Sequence, residues 1–306
     1  MKKKTSLWIL LIVYASVAHA QKKHGMWQAD LGIFHYFFDI LKPETIIDTV
    51  NYSVVYRQKY RSNPDKKEYN YHYIYLDVGN RYSRFYYRST AYLDMRHTQR
   101  NAPDPRIEKE LEELDREAKK LPDLPSRTSY YQPYEILCDY RTDKLYFTDR
   151  IPNPQKGFIF YEEDIPTVQW KLEEEEPIEI AGHLCYKATT RFRGREWIAH
   201  YATDIPYAHL CVWKLRGVPG LILKLQDAEE DFTLECVTIF QKQTPFWKYK
   251  RKGKRITFEK WQKMVRMYHE DAKATLLGDN YILYKGEIGH FVEAKEWKVP
   301  YNPLER

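Results

Sequence analysis

Three histidines and two cysteines crowd one stretch of this chain: His183, Cys185, His200, His209 and Cys211. Imidazole and thiolate are the usual ligands of zinc. The intervals between these residues fit no ligand spacing, however. If residues 180–192 pair with 196–202 in a hairpin, Lys187 faces His200, and His183 does not converge on it. Hydrogen-bonded or surface histidines are the reading, with no metal site. The chain has no G-x-S-x-G, S-x-x-K or H-E-x-x-H. No catalytic residue and no cofactor-binding residue is assigned. Four cysteines, Cys138, Cys185, Cys211 and Cys236, follow the N-terminal segment. An oxidising compartment allows three disulfide pairings among them, four buried thiols are the alternative, and sequence does not choose. Glu173 to Glu176 is an acidic run suited to a solvated loop. Lys248 to Arg255, KYKRKGKR, is the most basic stretch. It reads as a solvated loop or as a patch for anionic lipid headgroups or an acidic partner.

The N-terminus looks like an export signal. Lys2, Lys3 and Lys4 precede an apolar run at 7–17, too short to span a bilayer, and Ala18-His19-Ala20 is a cleavage signal of the A-x-A kind. Cleavage after Ala20 leaves a mature chain from Gln21 and removes three of the lysines behind the formal charge of +6. No cysteine follows the apolar run, so no lipidated N-terminus is expected, and no later run suggests a transmembrane helix. A periplasmic or secreted protein is expected, and such a protein seldom meets nucleic acid.

The elements that position these side chains read mainly as strands. The chain has 27 Tyr and 8 Trp yet is 30% charged, as aromatic strands with one wet face would give. Residues 49–60 are strand-like. Residues 68–76 and 81–87 flank Gly79-Asn80 as a hairpin, and two strands in 136–148 flank Arg141-Thr142-Asp143. Further strands are expected at 157–161, at 180–192 with 196–202 around Arg193-Gly194, and at 221–225 with 232–240 around an acidic turn at 227–231. Asp104-Pro105 opens a helix charged nearly all round, which suits an exposed insert at about 100–126. A second helix, at about 258–277, carries Phe258, Trp261, Val265, Tyr268 and Ala272 at helical spacing and should pack on the sheet.

Gly217-Val218-Pro219-Gly220-Leu221-Ile222 is a glycine- and proline-bearing turn feeding an apolar strand that both faces should bury. The chain resembles the GLPGLI family, small exported proteins of Gram-negative bacteria without an established activity. The resemblance rests on that hexapeptide, on the early hairpin from Tyr75 to Tyr86, on residues 164–172 (DIPTVQWKL) and on Gly182-His183-Leu184-Cys185-Tyr186-Lys187-Ala188. It covers about 49–240. Val218 stands where leucine is usual, and Cys211-Val212 where Gly-Pro is common.

The expected architecture is an α+β, β-dominated fold: a curved antiparallel sheet or open half-barrel with a packed C-terminal helix and an exposed helical insert, in one domain over 21–306. Tyr69, Tyr71, Tyr73 and Tyr75, and likewise Trp197, Ala199 and Tyr201, each share one side of their strand. Either the 257–277 helix fills the hollow they line or a groove remains. The leading functional expectation is a non-enzymatic binding or carrier protein for a hydrophobic ligand or a partner segment. An accessory protein of an outer-membrane transport system, acting by contact, is the first alternative. An unrecognised hydrolase or metal-binding protein is the second.

Overall fold

The computed structural model describes residues 41–124, 134–150, 158–205, 207, 209–270, 283–285, 290–292 and 301–305. The expected export signal at 1–20, the end of the expected insert at 125–126 and residues 271–277 of the expected C-terminal helix lie outside them. Turn chemistry sets the first half of the fold. Strand β1 (Pro43–Tyr60) leads into β2 (Asn70–Val78), β3 (Tyr82–Tyr87), β4 (Glu135–Asp139), β5 (Lys144–Asp149) and β6 (Phe158–Asp164), each antiparallel to the one before. The β2–β3 and β4–β5 hairpins turn where Gly79-Asn80 and Thr142-Asp143 predict, with Asp143 in the left-handed region at φ 56°. The second half is another meander: β9 (His183–Phe192), β10 (Arg195–Ala202), β11 (Leu221–Asp227) and β12 (Phe232–Tyr249). Arg193 and Gly194 make its first turn, both at positive φ.

One long ladder joins the halves. Strands β1 and β12 pair antiparallel from Pro43↔Tyr249 to Tyr60↔Phe232, with four register shifts that bend the pair. The result is an open 13-stranded sheet, with β13 (Gly253–Arg255) parallel to β6 at one edge and the short β7 (Lys171–Leu172) and β8 (Ile178–Ile180) beside β9 at the other. A separate ribbon pairs β14 (Leu283–Lys285) with β15 (His290–Val292).

The two faces bury different things. The inner face carries the main core, including Val54, Leu76, Phe85, Ile136, Phe147 and Trp197. Its cover is the segment 203–220 between β10 and β11, which lays Leu210, Val212, Trp213, Leu215 and Val218 against the sheet. The hollow is thus neither filled by the C-terminal helix nor left as a groove, the two outcomes expected, but covered by the chain's own loop. That helix, α3 (Phe258–Glu270), packs at one side, its Phe258 and Trp261 rings 5.6 and 5.5 Å from Tyr161.

The other face holds two helices, α1 (Arg88–Asn101) and α2 (Pro105–Ala118). Asp104 caps α2 by accepting from the Arg106 N–H at 2.9 Å, and Pro105 opens its first turn. The insert lies at the surface as expected, but one side of it packs on the sheet. Ile107, Leu111 and Leu114 form a helical stripe that packs with Val55, Tyr75, Tyr86 and Met95, and apart from Glu110 and Glu117 the charged residues occupy the remaining surface. Tyr75 thus faces the helices while Trp197 faces the inner core. The two aromatic stripes lie on opposite faces and line no common groove. Among the described residues no helix is long and apolar enough to cross a membrane.

Candidate functional site

The histidines are held apart. His183 Nδ1 lies 2.7 Å from Asp204 Oδ2. His200 faces Lys187 across the β9–β10 ladder as expected, and burial, then Lys224 and Lys187, lower its pKa. His209 sits edge-on to Tyr140 at 5.1 Å, with its pKa lowered by burial. The acidic run is edge stitching: Glu173 pairs with Lys171 at 3.0 Å and Glu175 with Lys187 at 2.7 Å. Within the basic stretch, Arg251 turns inward to Glu135 at 3.0 Å, while Lys248, Lys250, Lys252, Lys254 and Arg255 remain exposed. All four cysteines are buried thiols without a disulfide.

The glycine motif ends the covering segment. Gly217 is at φ +97°, and the Trp170 indole N–H donates to the Arg216 carbonyl beside it at 2.8 Å. Gly220 is not in the positive-φ region. It lies so close to Ala202 that a Cβ would sit 2.0 Å from the Ala202 carbonyl oxygen. Leu221, Ile222 and Leu223 are buried, as a strand covered on both faces requires.

The strongest concentration of charge is one that sequence reasoning missed. Segment 203–220 folds on itself at Trp213-Lys214, where Val212 and Leu215 exchange backbone hydrogen bonds of 2.9 and 3.1 Å. Trp213 takes φ 56°, an uncommon conformation for a bulky residue. The turn drives both side chains inward. Trp213 packs 4.9 Å from Trp197, and Lys214 is fully buried. The Lys214 ammonium meets Tyr161 Oη at 2.7 Å, Glu163 Oε1 at 2.9 Å and Glu305 Oε1 at 2.5 Å. Arg193 bridges the same two carboxylates, its guanidinium 4.2 Å from the Phe258 ring centre.

A second cluster adjoins it at the β9–β10 and β11–β12 turns, around a cleft of about 380 Å³. Arg195 is buried there against Asp227, with Glu229 and Asp231 each at 3.5 Å. It also donates to Asn302 Oδ1 at 2.6 Å and to the Pro303 carbonyl at 2.7 Å. Asn302 in turn donates to the Arg61 carbonyl at 2.6 Å and to Asp231 at 2.9 Å. Burial raises the pKa of Asp227 against the pull of the Phe232 N–H and Arg195. For Asp231 burial pulls upward, but Asn302 and Arg61 bring the carboxyl below its usual range. The carboxylates of Asp227, Glu229 and Asp231 stand within 4.8 Å of one another, as metal ligands would. The Arg195 guanidinium already supplies the cation they face. Residues 301–305 are therefore clasped by two buried ionic clusters.

A third cluster lies under α1, where Arg84, Arg150 and Arg251 line a cavity of about 30 Å³, the size of one or two water molecules. Their carboxylate partners are Asp77, Asp94 and Glu135.

Apolar exposure concentrates at the β7–β9 edge. Tyr186 stands opposite Tyr201, their rings 6.1 Å apart, and is 38% exposed. Leu184 shares its side of β9 by alternation and is 58% exposed. Leu172, opposite Ala188, is on that side too at 51%.

No protein-family model and no curated protein matches the chain. Two solved structures of PNGF-II are similar in shape. The one in the P21 space group shares 11% identity at a TM-score of 0.42, and the one in C2 shares 10% at 0.43. In both, the likeness covers 73% of this chain and 34% of the other. The chain thus spans about a third of those proteins, and a likeness this distant carries no argument about function.

Proposed function

We propose that this chain is an exported, non-enzymatic binding protein of the GLPGLI type, periplasmic or secreted, which holds a hydrophobic partner segment or ligand at the rim formed by Leu172, Leu184 and Tyr186. The observation that carries the reading is that rim. Three apolar side chains share one side of a sheet edge and are 38–58% exposed, while the aromatics further in are covered by segment 203–220. Burying such a row is worth about 25 cal/mol per Å². The Lys214 and Arg195 clusters support a binding role over a catalytic one, since both cations face acceptors of the same chain.

An open row at an edge suits an extended protein segment, and so favours action by contact, as in an accessory protein of an outer-membrane transport system. The exposed cations from Lys248 to Arg255 suit anionic headgroups nearby. A photo-crosslinking residue placed at Leu184 in the native host tests the rim, with Leu93 on α1 as control. A discrete crosslinked protein from position 184 alone is the expected result. If position 184 gives no adduct and the purified protein takes up no fluorescent fatty-acid analogue, the rim is not a binding surface. Saturable uptake without a crosslink would move the reading to a lipid carrier.

A further inference from the structure

Two of the four cysteines are brought together from distant parts of the chain. Cys138 lies on the inner face of β4, opposite Ser83 of β3. Two residues on, Tyr140 turns its ring back over the same face, and its hydroxyl lies 2.5 Å from Ser83 Oγ. That hydroxyl accepts the backbone N–H of Cys211 at 3.1 Å. Cys211 belongs to the covering segment, so this bond fixes its backbone above the β3–β4 pair. That placement brings the Cys211 thiol beside Cys138, and this neighbour, with burial, pushes the Cys138 thiol up. The other two cysteines differ. The Cys185 thiol donates to the His183 carbonyl at 3.4 Å and the Cys236 thiol to the Thr238 carbonyl at 3.8 Å, each within its own strand. These two feel each other electrostatically, but their hydrogen bonds are local.

We propose that Cys138 and Cys211 are a cross-linking site, whose disulfide fastens the covering segment 203–220 to the first half of the sheet while Cys185 and Cys236 stay as thiols. The oxidant is a disulfide, either a small-molecule one or that of a thiol oxidoreductase. One cysteine thiolate attacks a sulfur of that disulfide, forming a mixed disulfide and releasing one thiolate. The second cysteine thiolate attacks the protein sulfur of the mixed disulfide, closing the Cys138–Cys211 bond and releasing the other thiolate. Two electrons pass from the protein to the oxidant, and the two thiol protons go to the released thiolates or to solvent. Both sulfurs are sealed in the folded chain. Exchange therefore belongs to the folding stage, before the cover seats.

The cross-link closes a loop of about 70 residues, long enough to restrict the unfolded chain strongly. The full chain, refolded in a glutathione and glutathione-disulfide buffer, denatured and treated with N-ethylmaleimide, tests the assignment. Two labelled thiols are expected, at Cys185 and Cys236, together with one peptide pair joined through Cys138 and Cys211. Melting of the oxidised protein should lie about 5–15 °C above that of the reduced protein. Amide exchange over 209–216 should slow at least tenfold on oxidation. Four labelled thiols, or a joined pair other than Cys138–Cys211, would overturn the proposal. Unchanged exchange over 209–216 would overturn the fastening of the cover. The mapping needs no variant, so a Cys138→Ser chain that fails to fold does not remove the test.

Discussion

Gly217 and Gly220 are three residues apart and cannot be replaced for two different reasons. Gly217 needs its backbone freedom at φ +97°, with the Trp170 ring 3.9 Å from where a Cβ would go. Gly220 needs its missing side chain, because the Ala202 backbone fills that space. Gly217→Ala is expected to cost about 1–2 kcal/mol through strain alone. Gly220→Ala must displace a strand and is expected to cost more, about 2–4 kcal/mol. Melting curves of the two variants check the order. Sequence showed that glycine matters here, but positive φ and close approach demand the same residue, so it could not separate them. Glu110 is a residue whose role sequence concealed within a charged helix. Its Oε1 is sealed without a partner, and its Oε2 accepts from Tyr249 Oη at 2.5 Å. Burial dominates, Arg84 and Tyr249 oppose it, and the pKa rises to about 7. A raised carboxyl pKa means that the folded state holds the proton more tightly. This contribution to stability is complete below the unfolded value near pH 4.5 and is lost as pH rises to about 7. Glu110→Gln should therefore stabilise the protein at pH 8, by up to about 3 kcal/mol, and change little at pH 4.5. Melts at the two pH values decide, and equal shifts at both would reject the linkage.

At the scale of elements, residues 301–305 matter beyond their length. They have no periodicity and form no strand, so nothing in their sequence announces them. Their partners, Arg61, Arg193, Arg195 and Lys214, are about 90 to 240 positions away. Removing residues 301–306 leaves Lys214 and Arg193 sharing Glu163 alone. Breaking a buried ionic cluster from one side typically costs about 3–5 kcal/mol, and a loss of that order is expected in denaturant melts. In the full chain, Lys214→Met with Glu305→Leu, which removes charge from both sides, should cost less than the truncation. The helices show how local signals succeed and fail. The start of α2 was legible because Asp104-Pro105 is a strong cap. Its burial was not, because three apolar residues are easily lost among nine charged ones. Helix α1 went unseen. Tyr87 at its N-cap offers no side-chain hydrogen bond, and its first turn has no acidic residue.

For the molecule as a whole, hairpins were readable and their assembly was not. Each turn is written in neighbouring residues such as Gly79-Asn80 or Arg193-Gly194. The face that a strand presents is decided by register with partners far off in sequence. Two Tyr- and Trp-rich stripes therefore looked alike and proved to lie on opposite faces. The cover of the inner face was likewise hidden, since segment 203–220 has neither strand nor helix pattern. The β1–β12 ladder gives the fold an order in time. Strand β1 is made early and β2 follows it closely in the chain, but the partner of its other side is complete only once Tyr249 has been made. For most of synthesis the molecule is a half-sheet with an 18-residue open flank, the kind of flank that recruits other chains. A second copy's β12 would fit it as well as the chain's own. Correct folding therefore depends on that flank staying unoccupied until its own strand arrives.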